Sequence, residues 1–101
     1  MRLAKAHGVT ITYGSDLLGG MRTRQLQGFG LLLDAGLSPA EVLACATTHA
    51  AALLGLEAGV IARGKLADLT LLRVNPLEAA NLRALSEADV VQVWVDGRRA
   101  K

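Results

Sequence analysis

The spacing of apolar residues changes near Leu56, and that change limits the folds open to the chain. Between residues 23 and 56 hydrophobic side chains recur at helical intervals; beyond Leu56 most fall in short runs of strand character. Leu26, Phe29 and Leu33 share one face of a helix expected over residues 23–35, with Gly36 at its C-terminal cap. Ser38-Pro39-Ala40-Glu41 then opens another helix, with serine as N-cap, proline at the first helical position and glutamate placed to close a capping box. This helix carries Val42, Leu43 and Ala46 inward, breaks near Thr47-Thr48, resumes through Ala50 to Leu54 and stops at Gly55. Beyond Leu56, residues 59–61, 68–74 and 90–95 read as strands, separated by Gly64-Lys65, by Asn75-Pro76 and by a short helical segment over residues 77–85. Val91, Val93 and Val95 alternate with Gln92, Trp94 and Asp96, and Asp96-Gly97 makes a hairpin turn.

At the other end, residues 1–7 have the types of a helix end, Gly8 is the stop, and Val9-Thr10-Ile11-Thr12-Tyr13 is a strand. Helix and strand alternate, so the class is α/β. Two or three strands make a poor sheet alone, and 101 residues fit one small domain or a piece of a larger one. Hydrophobic residues form 51% of the chain, yet it has one Phe, one Tyr and one Trp, so the core is aliphatic and alanine-rich. That much apolar surface is hard to bury in so small a chain, and part of it is expected to face a partner or further polypeptide.

Eleven basic and nine acidic residues are spread along the sequence, with only Arg98, Arg99 and Lys101 clustered. No basic stripe is interleaved with stacking aromatics, which argues against a nucleic-acid interface. The uncharged stretch 42–56 is too short to span a bilayer, and the N-terminus lacks the apolar core of a secretion signal. A cytoplasmic location with no membrane partner is expected. The single cysteine, Cys45, allows no internal disulfide and reads as a small core residue in a helix.

The candidate chemistry lies just after the first strand. Gly14-Ser15-Asp16 can be a plain turn, with the aspartate bonded to its own backbone, or the point where a β/α barrel offers a carboxylate to a metal. Leu17, Leu18, Met21 and Arg22 follow in a loop with paired glycines, Gly19 and Gly20. His7 and His49, the only imidazoles, lack the i, i+4 spacing of a helical zinc pair and read as surface or capping residues. Ser15 has no Gly-x-Ser-x-Gly elbow and no matched base. Lys65 with Asp68 reads as a solvated lysine and a turn-tying carboxylate rather than a catalytic pair. Gly55, Gly59 and Gly64 form no phosphate loop, and Trp94 is a sheet-packing residue.

The order of these features resembles the C-terminal part of the amidohydrolase superfamily, nearest to its imidazolonepropionase-like and prolidase-like branch. The likeness rests on Gly8-Val9, Gly14-Ser15-Asp16, Leu37-Ser38-Pro39-Ala40-Glu41-Val42-Leu43, Ala46-Thr47-Thr48 with Ala50-Ala51 and Leu54-Gly55-Leu56, Gly59-Val60-Ile61-Ala62-Arg63-Gly64-Lys65-Leu66-Ala67-Asp68-Leu69, and Asn75-Pro76-Leu77-Glu78. It covers nearly the whole chain.

The resemblance implies the last strand–helix unit of a metal-dependent (β/α)8 barrel over residues 1–56 and the C-terminal strands of a small composite β-sandwich over residues 57–101. Asp16 then matches the aspartate that binds a divalent metal, zinc above all, and relays a proton between attacking water and leaving amine. Met21 and Arg22 fall where such barrels contact substrate. Related sequences favour histidine at the Arg22 position; the arginine either clamps a substrate carboxylate or points into solvent.

The His-x-His strand, the bridging lysine or glutamate and the remaining metal-binding histidines have no counterpart in these residues. A barrel takes about 200 residues or more, of which this chain supplies about one eighth. The expectation is a C-terminal portion that binds no metal alone, whose parent hydrolyses carbon–nitrogen bonds of small amide or peptide-like substrates. The rival expectation is a non-catalytic remnant or module that joins a separate N-terminal barrel chain or forms a homo-oligomer.

Overall fold

The computed structural model describes residues 1–101, except for the side chain of Thr23. Its elements are helices α1 (Arg2–Ala6), α2 (Gln27–Asp34), α3 (Pro39–Ala46), α4 (Thr48–Leu54) and α5 (Ala79–Ala84), and strands β1 (Leu69–Leu72), β2 (Val90–Val95) and β3 (Arg98–Arg99). A 3₁₀ turn, Gly19–Arg24, precedes α2, and a second, Glu87–Asp89, precedes β2. The result is a mixed α/β fold with one open, three-stranded sheet.

The helices begin and end where their residues dictate. Ser38 Oγ accepts from Glu41 N at 3.3 Å while Glu41 Oε2 accepts from Ser38 N at 2.7 Å, so the box closes around Pro39. At Thr47 the backbone leaves helical geometry (φ −125°, ψ −88°), which separates α3 from α4, and Gly55 ends α4 in the left-handed region. The helix expected over residues 23–35 is shorter: 3₁₀ geometry occupies its first part, and α2 starts only at Gln27.

Antiparallel strands β1 and β2 pair Leu69 with Trp94, Thr70 with Val93 and Leu71 with Gln92; a bulge then brings Leu72 opposite Val90. Asp96 and Gly97, both at positive φ, turn the chain back so that β3 pairs with β2. Residues 59–61 form no strand. Gly59 instead abuts the α3–α4 junction, where an added Cβ would lie 2.8 Å from the Thr47 carbonyl oxygen.

Residues 9–13 are extended but unpaired, against the expectation of a strand. A strand is defined by a hydrogen-bonded neighbour, and none of the described residues supplies a ladder here. Isolated bonds hold the segment instead: Val9 N to Ala4 O at 3.0 Å and Tyr13 N to Cys45 O at 2.9 Å.

Phe29, Leu32, Leu37, Val42, Cys45, Leu82 and Leu85 form the buried core, with Ile11, Tyr13 and Leu26 packed against it. Leu82 and Val42 are fully enclosed. The core therefore draws on residues from both sides of Leu56, through the packing of α5 on α2, and Arg83 pairs with Asp34 at 2.9 Å across the same contact. Among the described residues, no helix is long and apolar enough to cross a membrane.

Candidate functional site

Tyr13, at the end of the extended segment, fixes the start of the loop that carries the candidate residues. Its hydroxyl donates to the Gln25 carbonyl oxygen, and its ring tilts against Phe29 with centroids 5.1 Å apart. Burial pushes the phenol's pKa above its ordinary 10.0. Just upstream, the His49 ring anchors the same segment, with Nδ1 2.9 Å from the Ile11 carbonyl oxygen. A carbonyl can only accept, so Nδ1 carries the proton. His49 is thus tied to the backbone from α4, in a structural role, while His7 lies exposed at the end of α1.

Beyond Gly14, Ser15 Oγ accepts from Leu17 N at 3.5 Å across a tight turn. Asp16 sits at its apex, exposed, with φ +50°. That left-handed geometry is uncommon for a residue with a Cβ, although aspartate tolerates it better than most. Gly19, at φ +59°, starts the 3₁₀ turn that carries Met21 and Arg22.

A hollow of about 400 Å³ opens between this loop and α2, with Tyr13, Ser15, Leu17, Met21, Arg24 and Leu31 among its walls. Met21 reaches it; Asp16 and Arg22 are not among its lining residues. Arg22 instead borders a separate depression with Glu87 and Val90. The three sequence candidates therefore share one loop but not one cavity. A larger apolar groove of about 640 Å³ lies between the end of α3 and the sheet, flanked by Leu43, Ile61, Leu71 and Trp94.

Zinc in a catalytic site takes three protein ligands as a rule. Among the described residues, no group of three or more His, Cys, Asp or Glu side chains is gathered closely enough to hold a metal ion. The residues of this chain therefore do not by themselves fit the metal that the resemblance implies. Cys45 offers no alternative donor, because it is 1% exposed and burial raises its thiol pKa above the ordinary 9.0, with the Glu41 charge adding to the shift.

Sequence reasoning missed the parts played by Tyr13 and His49. The signal for Tyr13 was present: Gly28 in the interior of a helical pattern implies a close neighbour, and that neighbour is the Tyr13 ring.

Comparison with known proteins fits an α/β segment whose candidate carboxylate follows an extended run. The model of the Amidohydrolase family matches residues 1–100. The chain belongs to that family. Among solved structures, the crystal structure of an amidohydrolase is 36% identical with a TM-score of 0.85, covering 97% of this chain and 24% of its own. A structure described as that of an uncharacterized protein is 37% identical with a TM-score of 0.88, covering 99% of this chain and 25% of its own. A prolidase complexed with N-methylphosphonate-L-proline is likewise 37% identical, with a TM-score of 0.85 and the same coverage. The chain thus spans about a quarter of the length of the structures it matches, and it corresponds to a fragment of them. None of the curated proteins compared with the chain matches it.

Proposed function

We infer that this chain is the C-terminal segment of an amidohydrolase, inactive by itself, that works by association with polypeptide bearing the rest of the barrel. The observation that carries this reading is the coverage: nearly all of the chain aligns with only a quarter of each related structure. The absence of a ligand cluster among the described residues supports it, as do large apolar side chains left in solvent, Ile61, Leu53 and Leu3 among them. In this reading residues 1–56 complete the barrel and residues 57–101 supply part of a composite sandwich.

Within such an assembly, Asp16 is the one carboxylate this chain would contribute to a divalent-metal shell, with the other donors on the partner. Met21 and Arg22 would border the substrate. The assembled enzyme would act on a carbon–nitrogen bond of a small amide or peptide-like molecule; the relative described as a prolidase, bound to a proline-containing phosphonate, favours a peptide-like substrate.

The test mixes this chain with a polypeptide carrying the His-x-His strand and the remaining barrel, adds zinc, and assays a panel of dipeptides. Hydrolysis by the mixture and by neither part alone supports the split assembly. Chelator-sensitive turnover by this chain alone, free of contaminating protease, would overturn it.

A further inference from the structure

Gly28, the second residue of α2, leaves the helix without a side chain where Tyr13 approaches it. A Cβ added at position 28 would fall 2.6 Å from Tyr13 Cε2 and 2.7 Å from Cζ, and closer still to the hydroxyl oxygen. The phenol is therefore seated in the notch left by the missing side chain. There its hydroxyl donates to the Gln25 carbonyl oxygen, which also accepts from Gly28 N at 3.3 Å. That carbonyl lies where the 3₁₀ turn gives way to α2.

The rest of Tyr13 is equally constrained. Its backbone N–H is bonded to Cys45 O at the end of α3, and its ring packs on Phe29 in the core. One residue thus ties the extended segment to α3, to the core and to the start of α2. The tie to Gln25 has a further consequence, because Tyr13 and Gln25 are the two ends of the loop bearing Asp16, Met21 and Arg22. Their bond joins residues twelve apart in the sequence.

We propose that Tyr13 is a positioning residue: seated against Gly28 and bonded to Gln25, it locks both ends of the loop over residues 14–24 and so sets the direction in which Asp16 presents its carboxylate. The significance of that direction rests on the reading of Asp16 given above; the lock itself does not. Asp16 is three residues from the anchor and sits in left-handed geometry, so the surrounding structure must hold it there.

The test is hydrogen exchange on the full chain, comparing wild type with Tyr13→Phe, Gly28→Ala and the double variant, alongside an ultraviolet titration of the phenol. Tyr13 is the only tyrosine, so the titration reports this residue alone. Tyr13→Phe keeps the ring and removes only the bond to Gln25. It is expected to raise exchange across residues 14–24 about tenfold, the loss of one hydrogen bond, while β1 and β2 keep their protection. Gly28→Ala expels the ring, so the phenol titration moves back toward its ordinary value and the same loop amides exchange faster. The double variant is expected to add little to either single change, because both break one lock.

Unchanged loop exchange in Tyr13→Phe would overturn the proposal. So would faster exchange throughout the chain with a lowered Tm, since Tyr13 would then be a core residue with no particular hold on the loop. Should Gly28→Ala fail to fold, Tyr13→Phe still decides the matter. None of these measurements needs turnover: an inactive mixture with the partner polypeptide would count against the proposed function, whereas the lock stands or falls on the exchange rates alone.

Discussion

Asp68 clips the hairpin turn from outside the hairpin: its Oδ1 accepts from Asp96 N at 2.8 Å, just before β1 begins. Beside it, Gly97 N donates to Ala67 O at 3.1 Å. The turn places Asp96 and Gly97 at φ +48° and +74°, and two of its amide groups are satisfied by the strand's approach. A lysine–carboxylate pair with Lys65 would have suited chemistry, but Lys65 pairs with Glu57 instead. Asp68→Ala is expected to destabilise the chain by about 1 kcal/mol, the net worth of an intramolecular hydrogen bond. Asp68→Asn keeps an acceptor oxygen and should lose less than half of that. Urea unfolding followed by the fluorescence of Trp94, the single tryptophan, measures both. Equal loss in the two variants would show that charge, not the bond, matters here.

The capping box gives the chain a predictable response to acid. Glu41 accepts from Ser38 N and pairs with Lys5 Nζ at 2.9 Å, and these contacts, the Ser38 backbone bond foremost, lower its pKa from an ordinary 4.5 to about 2. A carboxylate with a depressed folded pKa contributes stability that is fully present above its unfolded value and is lost as pH falls through the folded one. The Tm should therefore decline between about pH 4.5 and about 2. Glu41→Gln should flatten that part of the profile. A variant curve parallel to wild type over this window would remove Glu41 as the cause.

Much of the helical half was legible because its signals are local. Ser38, Pro39 and Glu41 specify their helix start within four residues, and Gly55 its stop, whatever lies elsewhere. The Asp96-Gly97 turn is marked by its own two residues, although Asp68 and Ala67 hold it from outside. Residues 9–13 and 59–61 failed as strands because pairing is not a local property: β-branched residues favour an extended backbone, but a ladder needs a neighbour. Residue types marked Asp16 as a candidate, and the motif order marked its family. They did not reveal that Arg22 borders the depression it shares with Glu87 rather than the hollow beside Met21, since that depends on where the chain turns between Gly19 and Arg24.

Cys45 should behave as a core residue toward thiol reagents. Its side chain is 1% exposed, and burial keeps it protonated at neutral pH. Reaction with an aromatic disulfide reagent must wait for the fold to open, so labelling at pH 7.5 is expected to run at least about a hundredfold slower than in urea-unfolded chain. Low urea should accelerate it in step with unfolding. Immediate labelling in native buffer would mean that α3 does not enclose the thiol.

Much apolar surface is left uncovered by the fold. Leu53, Leu54 and Ile61 are 71%, 68% and 91% exposed, and Leu3 and Leu31 are comparable. Each fully buried leucine or isoleucine gains about 1.5–3 kcal/mol, so leaving several in water forgoes much of the driving force their composition offers. The isolated chain should therefore bind a hydrophobic dye and self-associate as its concentration rises. Leu53→Lys and Ile61→Lys, placed where nothing in the fold uses the side chain, should reduce both effects and leave helix content unchanged. Dye fluorescence, sedimentation velocity and circular dichroism separate these quantities. If the wild-type chain is a clean monomer that binds no dye, its apolar faces do not require a covering polypeptide, and the association proposed for it loses its physical motive.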